Sequence, residues 1–108
     1  MKIFVDSSPE EDIVFRVEIK GDCIKSLGAL MLIAEQTLFA MKNGELLARK
    51  PELDFLMRLA GTDQIFLAQE RCGGKDHVIY VCASCETPKI EISAEDIEAS
   101  EISALTAT

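Results

Sequence analysis

Short β-rich runs stand at both ends of the chain, on either side of a helical centre. Residues 2–5 form the first run, and residues 13–19 alternate with a period of two, which is typical of a strand with one buried face. Residues 77–83 are apolar enough for an interior strand, and residues 89–92 form a last short one, followed by a brief acidic helix from Ser93. The alternating apolar positions of the second run are Ile13, Phe15, Val17 and Ile19.

The longest helical pattern covers residues 24–42. Apolar residues recur there at three- and four-residue steps, and further apolar side chains fill most of the remaining surface. A helix that is apolar almost all round is usually covered on several sides. The helix is predicted to end at Asn43 and Gly44, because both residues tolerate the left-handed conformation. The predicted inner face consists of Leu27, Met31, Ala34, Leu38 and Met41.

A second and a third helix follow, joined at a glycine. Residues 51–60 form the second, which Pro51 opens at a position where its missing N–H is not needed. Gly61 ends this helix, and Thr62 is the predicted N-cap of the third, which runs through about Arg71. The second helix has a predicted inner stripe of Leu53, Leu56, Met57 and Ala60, with Asp54 and Arg58 paired at i, i+4 on the outside.

The charge balance excludes a protein that coats nucleic acid through its overall field. The chain has 108 residues, 48% of them hydrophobic, and a net charge of −8, which fits one domain with its own core. Residues 42–75 are the exception to the acidity, so a local phosphate contact fits there. The chain has neither a membrane-spanning apolar run nor a signal-peptide pattern, which predicts a cytoplasmic protein that does not bind membranes.

The four cysteines suggest one alternative function. In a cytoplasmic chain they are expected as thiols or metal ligands rather than as disulfides. Cys72, His77, Cys82 and Cys85 could hold zinc and would then define a small metal- or thiol-regulated binding protein. Only one close ligand pair is present, however, and a regular strand would point His77 and Cys82 to opposite faces. Cys82 as a small buried hydrophobe is the simpler interpretation, and we expect no bound metal or cofactor.

Catalytic groups are scarce. The sequence has a single histidine and a single tyrosine, Tyr80, which lies inside an apolar strand, and its carboxylates cluster at the acidic ends. Carboxylates in such clusters are normally solvated surface, and Gly73-Gly74 lacks the Lys-Ser/Thr of a phosphate loop. We therefore expect a protein that is not an enzyme.

The joint between the second and third helices is the main candidate site. Residues 54–68 contain the two helices and the glycine between them, with Gln64 and Ile65 in the first turn of the third helix. An ordinary helical hairpin packed on the core has the same pattern. The functional alternative is that the helix start, with its unpaired N–H groups and a side-chain amide, holds an anion or a terminal nucleotide. The candidate contacts are Arg49, Lys50, Arg58, Gln64, Ile65 and Arg71.

This segment also carries a family resemblance. It is similar to the run Glu-x-Leu-x-x-Leu-x-Gly-Thr-Arg-Gln-Ile-x-x-Ala found in the kinase-binding subunit of the KEOPS complex, also called EKC. The counterparts in this chain are Asp54, Leu56, Leu59, Gly61, Thr62, Gln64, Ile65 and Ala68. Asp54 stands in place of the usual glutamate, and Asp63 in place of a residue that is often basic. The order of the long apolar helix and the Val-rich strand agrees too, so the resemblance is best over residues 26–83.

The resemblance implies an α+β fold, a small β-sheet with the helical central segment packed on it, as a single domain over residues 1–108. It implies a non-catalytic adaptor that binds and stimulates the small atypical protein kinase of the complex, with a mainly apolar patch as the docking surface. It also implies recruitment of tRNA through the single-stranded CCA end for threonylcarbamoyl-adenosine modification, which another subunit performs, with no small-molecule substrate of its own. A third hypothesis is a dimerising scaffold in which the apolar helix at 27–41 serves a partner chain.

Overall fold

The structure is a computed structural model that describes residues 1–83 and 89–92. The element order is β1 (Lys2–Val5), β2 (Phe15–Ile19), a 3-10 turn (Gly21–Cys23), α1 (Leu27–Asn43), α2 (Pro51–Ala60), α3 (Ile65–Cys72), β3 (His77–Cys82) and β4 (Lys89–Ile92). The predicted α+β class is therefore confirmed. The acidic helix expected from Ser93 lies outside the described residues.

The sheet has the strand order β2-β3-β1-β4. Strand β3 pairs antiparallel with both β1 and β2, and β4 pairs parallel with β1. In β2 the residues Phe15, Val17 and Ile19 are buried and alternate with exposed ones, as predicted. The strand starts only at Phe15, and the inclusion of Ile13 was wrong, because its side chain is 42% exposed.

Helix α1 is capped as a regular helix but is rotated from the predicted orientation. The Ser26 hydroxyl accepts a hydrogen bond from the Ala29 amide at 2.9 Å, and Gly44 closes the other end with a left-handed φ of 68°. The buried face consists of Leu27, Leu30, Ala34, Thr37 and Ala40. Of the predicted face, Leu27 and Ala34 are buried, and Met31 and Leu38 are partly buried and pack against the core. The prediction was wrong at Met41, which is 39% exposed, and it missed Thr37, which turns inward to bond Asp54.

Helices α2 and α3 meet at a sharp joint. Helix α2 has the predicted bounds and ends at Gly61, whose φ of 69° is left-handed. Helix α3 begins at Ile65 with Gln64 as its N-cap, so the assignment of Thr62 as N-cap was wrong. The Thr62 hydroxyl instead accepts a hydrogen bond from the Gln64 amide at 3.2 Å within the joint. We call residues 61–66 the elbow.

Helix α2 is central to the packing. It contacts α1, α3 and β2, and its Phe55 is fully buried, with its ring 5.6 Å from that of Phe15. The core joins side chains of all three helices with the inward side chains of β1, β2 and β3 in a single cluster. The described residues therefore form one domain, with the elbow at one end of its central helix.

Candidate functional site

The elbow presents apolar side chains to solvent. Ile65 is 40% exposed and Phe66 is 73% exposed, and Gln64 beside them is exposed too. Burying an exposed aromatic ring against a partner is favourable in proportion to the apolar area removed from water. Sequence reasoning identified Gln64 and Ile65 and missed Phe66, although its position next to Ile65 at a helix start was the available signal.

The same side chains surround the start of α3. The Ala68 amide makes the first bond of the helix, to the Gln64 carbonyl at 3.0 Å, so the amides of residues 65–67 precede it. No described side chain caps this end. Uncapped amides at a helix start form a partly positive site that suits a phosphate or carboxylate group. Asp63 is exposed directly before it and weakens the attraction for anions.

The basic candidates do not converge on the elbow. Arg49 and Lys50 are exposed just before the start of α2, whereas the elbow lies at its other end. A ten-residue helix is about 15 Å long, so these two side chains are far from Ile65 along the α2 axis. Arg71 is exposed near the far end of α3. The structure thus brings Gln64 and Ile65 together and separates the three cations from them.

Arg58 is engaged in the interior. Its Nε donates to Asp54 Oδ1 at 2.6 Å and its Nη2 to Asp54 Oδ2 at 3.3 Å. The predicted i, i+4 pair exists, but its position on the outside was wrong, because Asp54 has no exposed surface. Arg58 therefore acts first as the partner of a buried carboxylate, and only part of its side chain is available to a ligand.

Asp54 joins three segments of the chain. Its Oδ1 accepts from the Thr37 hydroxyl of α1 and its Oδ2 from the Leu47 amide of the α1–α2 loop, both at 2.8 Å. Burial by itself raises the pKa of the Asp54 carboxyl. The hydrogen bonds that the carboxylate accepts and the charge of Arg58 lower the pKa by more than burial raises it, so it lies below its ordinary value. Asp54 thus stays ionised and fixes α1 against α2. Of these contacts, only the i, i+4 pair with Arg58 was predicted from the sequence.

The cysteines are arranged differently from the expectation. Cys23 and Cys72 form a disulfide with Cα atoms 5.7 Å apart, so the expectation of thiols or metal ligands was wrong for this pair. The fold places the 3-10 turn against the end of α3, a proximity that 49 residues of sequence separation do not reveal. Cys82 is a free, fully buried cysteine, as the simpler interpretation held. Cys85 lies outside the described residues.

His77 is paired with Asp6. Its Nδ1 lies 2.6 Å from Asp6 Oδ2, while Asp6 Oδ1 accepts from the Val78 amide at 2.8 Å. Cys72 is in a disulfide and therefore has no thiolate to offer a metal as one of the proposed zinc ligands. Within residues 1–83 and the β4 backbone, no group of three or more metal-ligating side chains is found.

A groove of about 400 Å³ lies between β2, α2 and the end of α3. Its charged lining contains both signs, so the groove offers no single-sign field to a charged ligand. It runs along the opposite half of α2 from the elbow, since Glu52 and Leu53 line it. The lining charges are Arg16, Glu18, Glu52 and Lys75.

Helix α1 carries a second exposed apolar surface. Leu32 is 55% and Phe39 66% exposed, while the opposite side of the helix packs into the core. The helix thus serves the core of its own chain, and the scaffold hypothesis would have to rest on these two side chains and Met41, which is 39% exposed. None of the described helices is both long and apolar enough to cross a membrane.

Comparison with known proteins does not identify a family or a function for the chain. No family model matches the chain, and no curated protein matches it. The functional interpretation accordingly depends on the elbow residues, their exposure and the motif they belong to.

Proposed function

We propose that the chain is a non-catalytic adaptor of the KEOPS type, which binds and stimulates the atypical protein kinase of that complex and recruits tRNA through its single-stranded CCA end. The motif over residues 54–68 supports the family, and one structural observation carries the tRNA part. Ile65 and Phe66 are adjacent and exposed at the uncapped start of α3. This arrangement suits a ligand with both a flat apolar face and a phosphate.

A single-stranded nucleotide has that chemistry. Its unstacked base can lie on an aromatic or apolar side chain, and its Watson–Crick edge can bond a side-chain amide such as that of Gln64. Its phosphate can accept from the amides at the helix start. A duplex would instead require a broad basic surface, which a chain of net charge −8 does not supply. The elbow therefore favours an unpaired end over a helix.

The remaining candidates have supporting roles in this proposal. Arg49, Lys50 and Arg71 are exposed away from the elbow and would contact phosphates further along the tRNA. Arg58 supports the elbow indirectly, because it bonds Asp54, which in turn bonds Thr37 of α1. Most of the affinity is then assigned to Gln64, Ile65 and Phe66.

The test compares two exposed phenylalanines. Phe66→Ala removes the proposed stacking ring, and Phe39→Ala removes a ring of similar exposure, 66% against 73%, from α1. Fluorescence anisotropy at fixed salt measures binding of a tRNA transcript with its CCA end and of one that lacks it. Stacking contributes about 1–3 kcal/mol per base, so Phe66→Ala should weaken binding roughly 5- to 150-fold. Phe39→Ala should bind like the unmodified chain.

Two results would contradict the tRNA part of the proposal: equal binding by the two variants, or equal binding of both transcripts to the unmodified chain. Ile65→Glu adds a check on folding. Because Ile65 is 40% exposed, the substitution should reduce tRNA binding and leave the melting temperature nearly unchanged. For the adaptor part, a pull-down from the native cell should recover the atypical kinase and the transferase subunit, and recovery of neither would refute it.

A further inference from the structure

We infer that the Cys23–Cys72 disulfide is a site of thiol–disulfide exchange whose reduction loosens α3 by releasing its last residue from the 3-10 turn. The acting reagent would be a small thiol or dithiol. The consequence for RNA binding depends on the function proposed above, whereas the loosening of α3 does not.

The two bonded cysteines differ in exposure. Cys72 is the last residue of α3 and is 2% exposed, whereas Cys23 ends the 3-10 turn and is only partly buried. A thiolate attacks a disulfide at the sulfur that it can reach. Exchange therefore starts at Cys23 Sγ.

Helix α3 packs mainly against α2, and the disulfide adds a covalent tether between its last residue and the 3-10 turn. It has eight residues, of which Ala68 and Cys72 are buried, whereas the ten-residue α2 has four buried residues. Isolated helices of this length are marginal in water and need tertiary packing to form. Since Cys72 is one of only two buried side chains of α3, the bond ties down the end of a helix that has little other buried surface.

Lys20, which lies just before the 3-10 turn, also bonds the last turn of α3. The Lys20 amide donates to the Cys72 carbonyl at 2.8 Å, and Lys20 Nζ donates to the Glu70 carbonyl at 2.7 Å. Residues 20–23 thus form a single clamp on the last turn of α3. Reduction leaves these two hydrogen bonds, the neighbouring bond from the Gly74 amide to the Glu18 carbonyl at 3.4 Å, and the packing of α3 against α2. Without the covalent tether, each of these contacts can open and close on its own.

The exchange proceeds in two steps. A thiolate RS⁻ bonds to Cys23 Sγ, the Cys23–Cys72 bond breaks, and Cys72 leaves as a thiolate that takes up a proton. A second thiolate then attacks the R sulfur of the mixed disulfide, giving RSSR and the Cys23 thiol. Two electrons pass from two RSH molecules to the protein, and the two protons come from the same thiols. With a dithiol, both steps use one molecule, which closes to a cyclic disulfide.

The elbow lies at the other end of this short helix. Ile65 and Phe66 belong to the first turn of α3, so their arrangement depends on the helix being formed. Oxidising conditions would keep the elbow ordered, and reducing conditions would loosen it. A thiol-dependent RNA affinity would follow from the same bond.

Amide hydrogen exchange followed by mass spectrometry tests the loosening of α3. The full chain is compared before and after treatment with dithiothreitol, and alkylation of Cys23 and Cys72 confirms reduction. Peptides from residues 65–72 should exchange at least about ten-fold faster after reduction, while those from α1 and β3 change little, because local opening spares the central elements. Cys82→Ala keeps the disulfide and should respond in the same way.

A double variant, Cys23→Ser with Cys72→Ser, should show fast α3 exchange without dithiothreitol and no further response to it. The inference is overturned if α3 exchange is unchanged by reduction, or if all elements accelerate equally, since either result means that the bond does not control α3 in particular. The exchange is measured without RNA, so a failure of tRNA binding refutes the proposed function and not the loosening of α3.

Discussion

Replacing Asp54 with Asn tests the structural account most directly. The substitution keeps the shape of the side chain but removes its charge and turns one acceptor oxygen into a donor. In the folded chain both carboxylate oxygens accept hydrogen bonds, from Thr37, Leu47 and Arg58, and none of the side chain is exposed. Either orientation of the Asn amide therefore places its NH₂ group against a donor. The Arg58 guanidinium also loses its counter-charge.

The size of the effect follows from these contacts. A hydrogen bond to a charged group contributes about 1.5–3 kcal/mol, and a donor left unsatisfied in the interior costs about 1–3 kcal/mol. The Thr37 hydroxyl can rotate to accept from the new amide, which offsets part of the loss. We expect Asp54→Asn to lower the free energy of unfolding by about 2–4 kcal/mol. For a chain of this size, that is a drop in melting temperature of roughly 10 °C or more.

Urea unfolding followed by circular dichroism, with the disulfide kept oxidised, measures this loss. Glu35→Gln is the matched control, because it removes a carboxylate charge from an exposed position of α1. It should change stability by less than about 0.5 kcal/mol. An Asp54→Asn loss no larger than that of the control would refute the argument that Asp54 joins the three segments.

The difference in stability between the unmodified chain and Asp54→Asn should depend on pH. The folded pKa of Asp54 lies below its ordinary value, and the unfolded value is about 3.9. The contribution of the ionised group is thus fully present above about pH 5 and is lost as the pH falls through 4 toward the folded pKa. The stability gap between the unmodified chain and Asp54→Asn should be constant near neutral pH and narrow below pH 4. A gap that widens on acidification would contradict this sign.

Two further substitutions test local features by the same unfolding assay. Ser26→Ala removes the side chain that accepts from the Ala29 amide at the start of α1 and should lower stability by about 1 kcal/mol; no measurable change would count against the cap. Gly73→Ala would place a Cβ 2.7 Å from the Gln69 carbonyl oxygen, and the required backbone shift should cost about 1–3 kcal/mol. At Gly21 an added Cβ meets nothing closer than 3.5 Å, so a similar loss for Gly21→Ala would show that crowding is not the cause.

Much of the local structure was predictable because its causes are local. The bounds of α2 follow from Pro51 and Gly61, and those of β4 were predicted as residues 89–92. The alternation of β2 follows from the side-chain period of a strand, which fixes the faces of Phe15, Val17 and Ile19. In each case neighbours within a few residues determine the conformation, whatever the rest of the chain does.

The rotation of α1 about its axis and the burial of Asp54 were decided by contacts between distant segments. The turn of α1 about its axis depends on the hydrogen bond from Thr37 to Asp54, and a helix with apolar residues all round gives no preference for one face over another. The burial of Asp54 in turn depends on donors from three segments. A charged residue with its i, i+4 partner is solvated by default, so only the assembled contacts could place it inside.

The sequence by itself determined an α+β chain with strands at both ends, a helical centre and a second and third helix joined at Gly61. Only the tertiary structure joined Cys23 to Cys72, placed Phe66 in solvent and separated Arg49, Lys50 and Arg71 from the elbow. The physical reason is the same in each instance. Periodicity and capping are set by near neighbours, whereas pairings and exposure are set by which surfaces meet when the helices pack on the sheet.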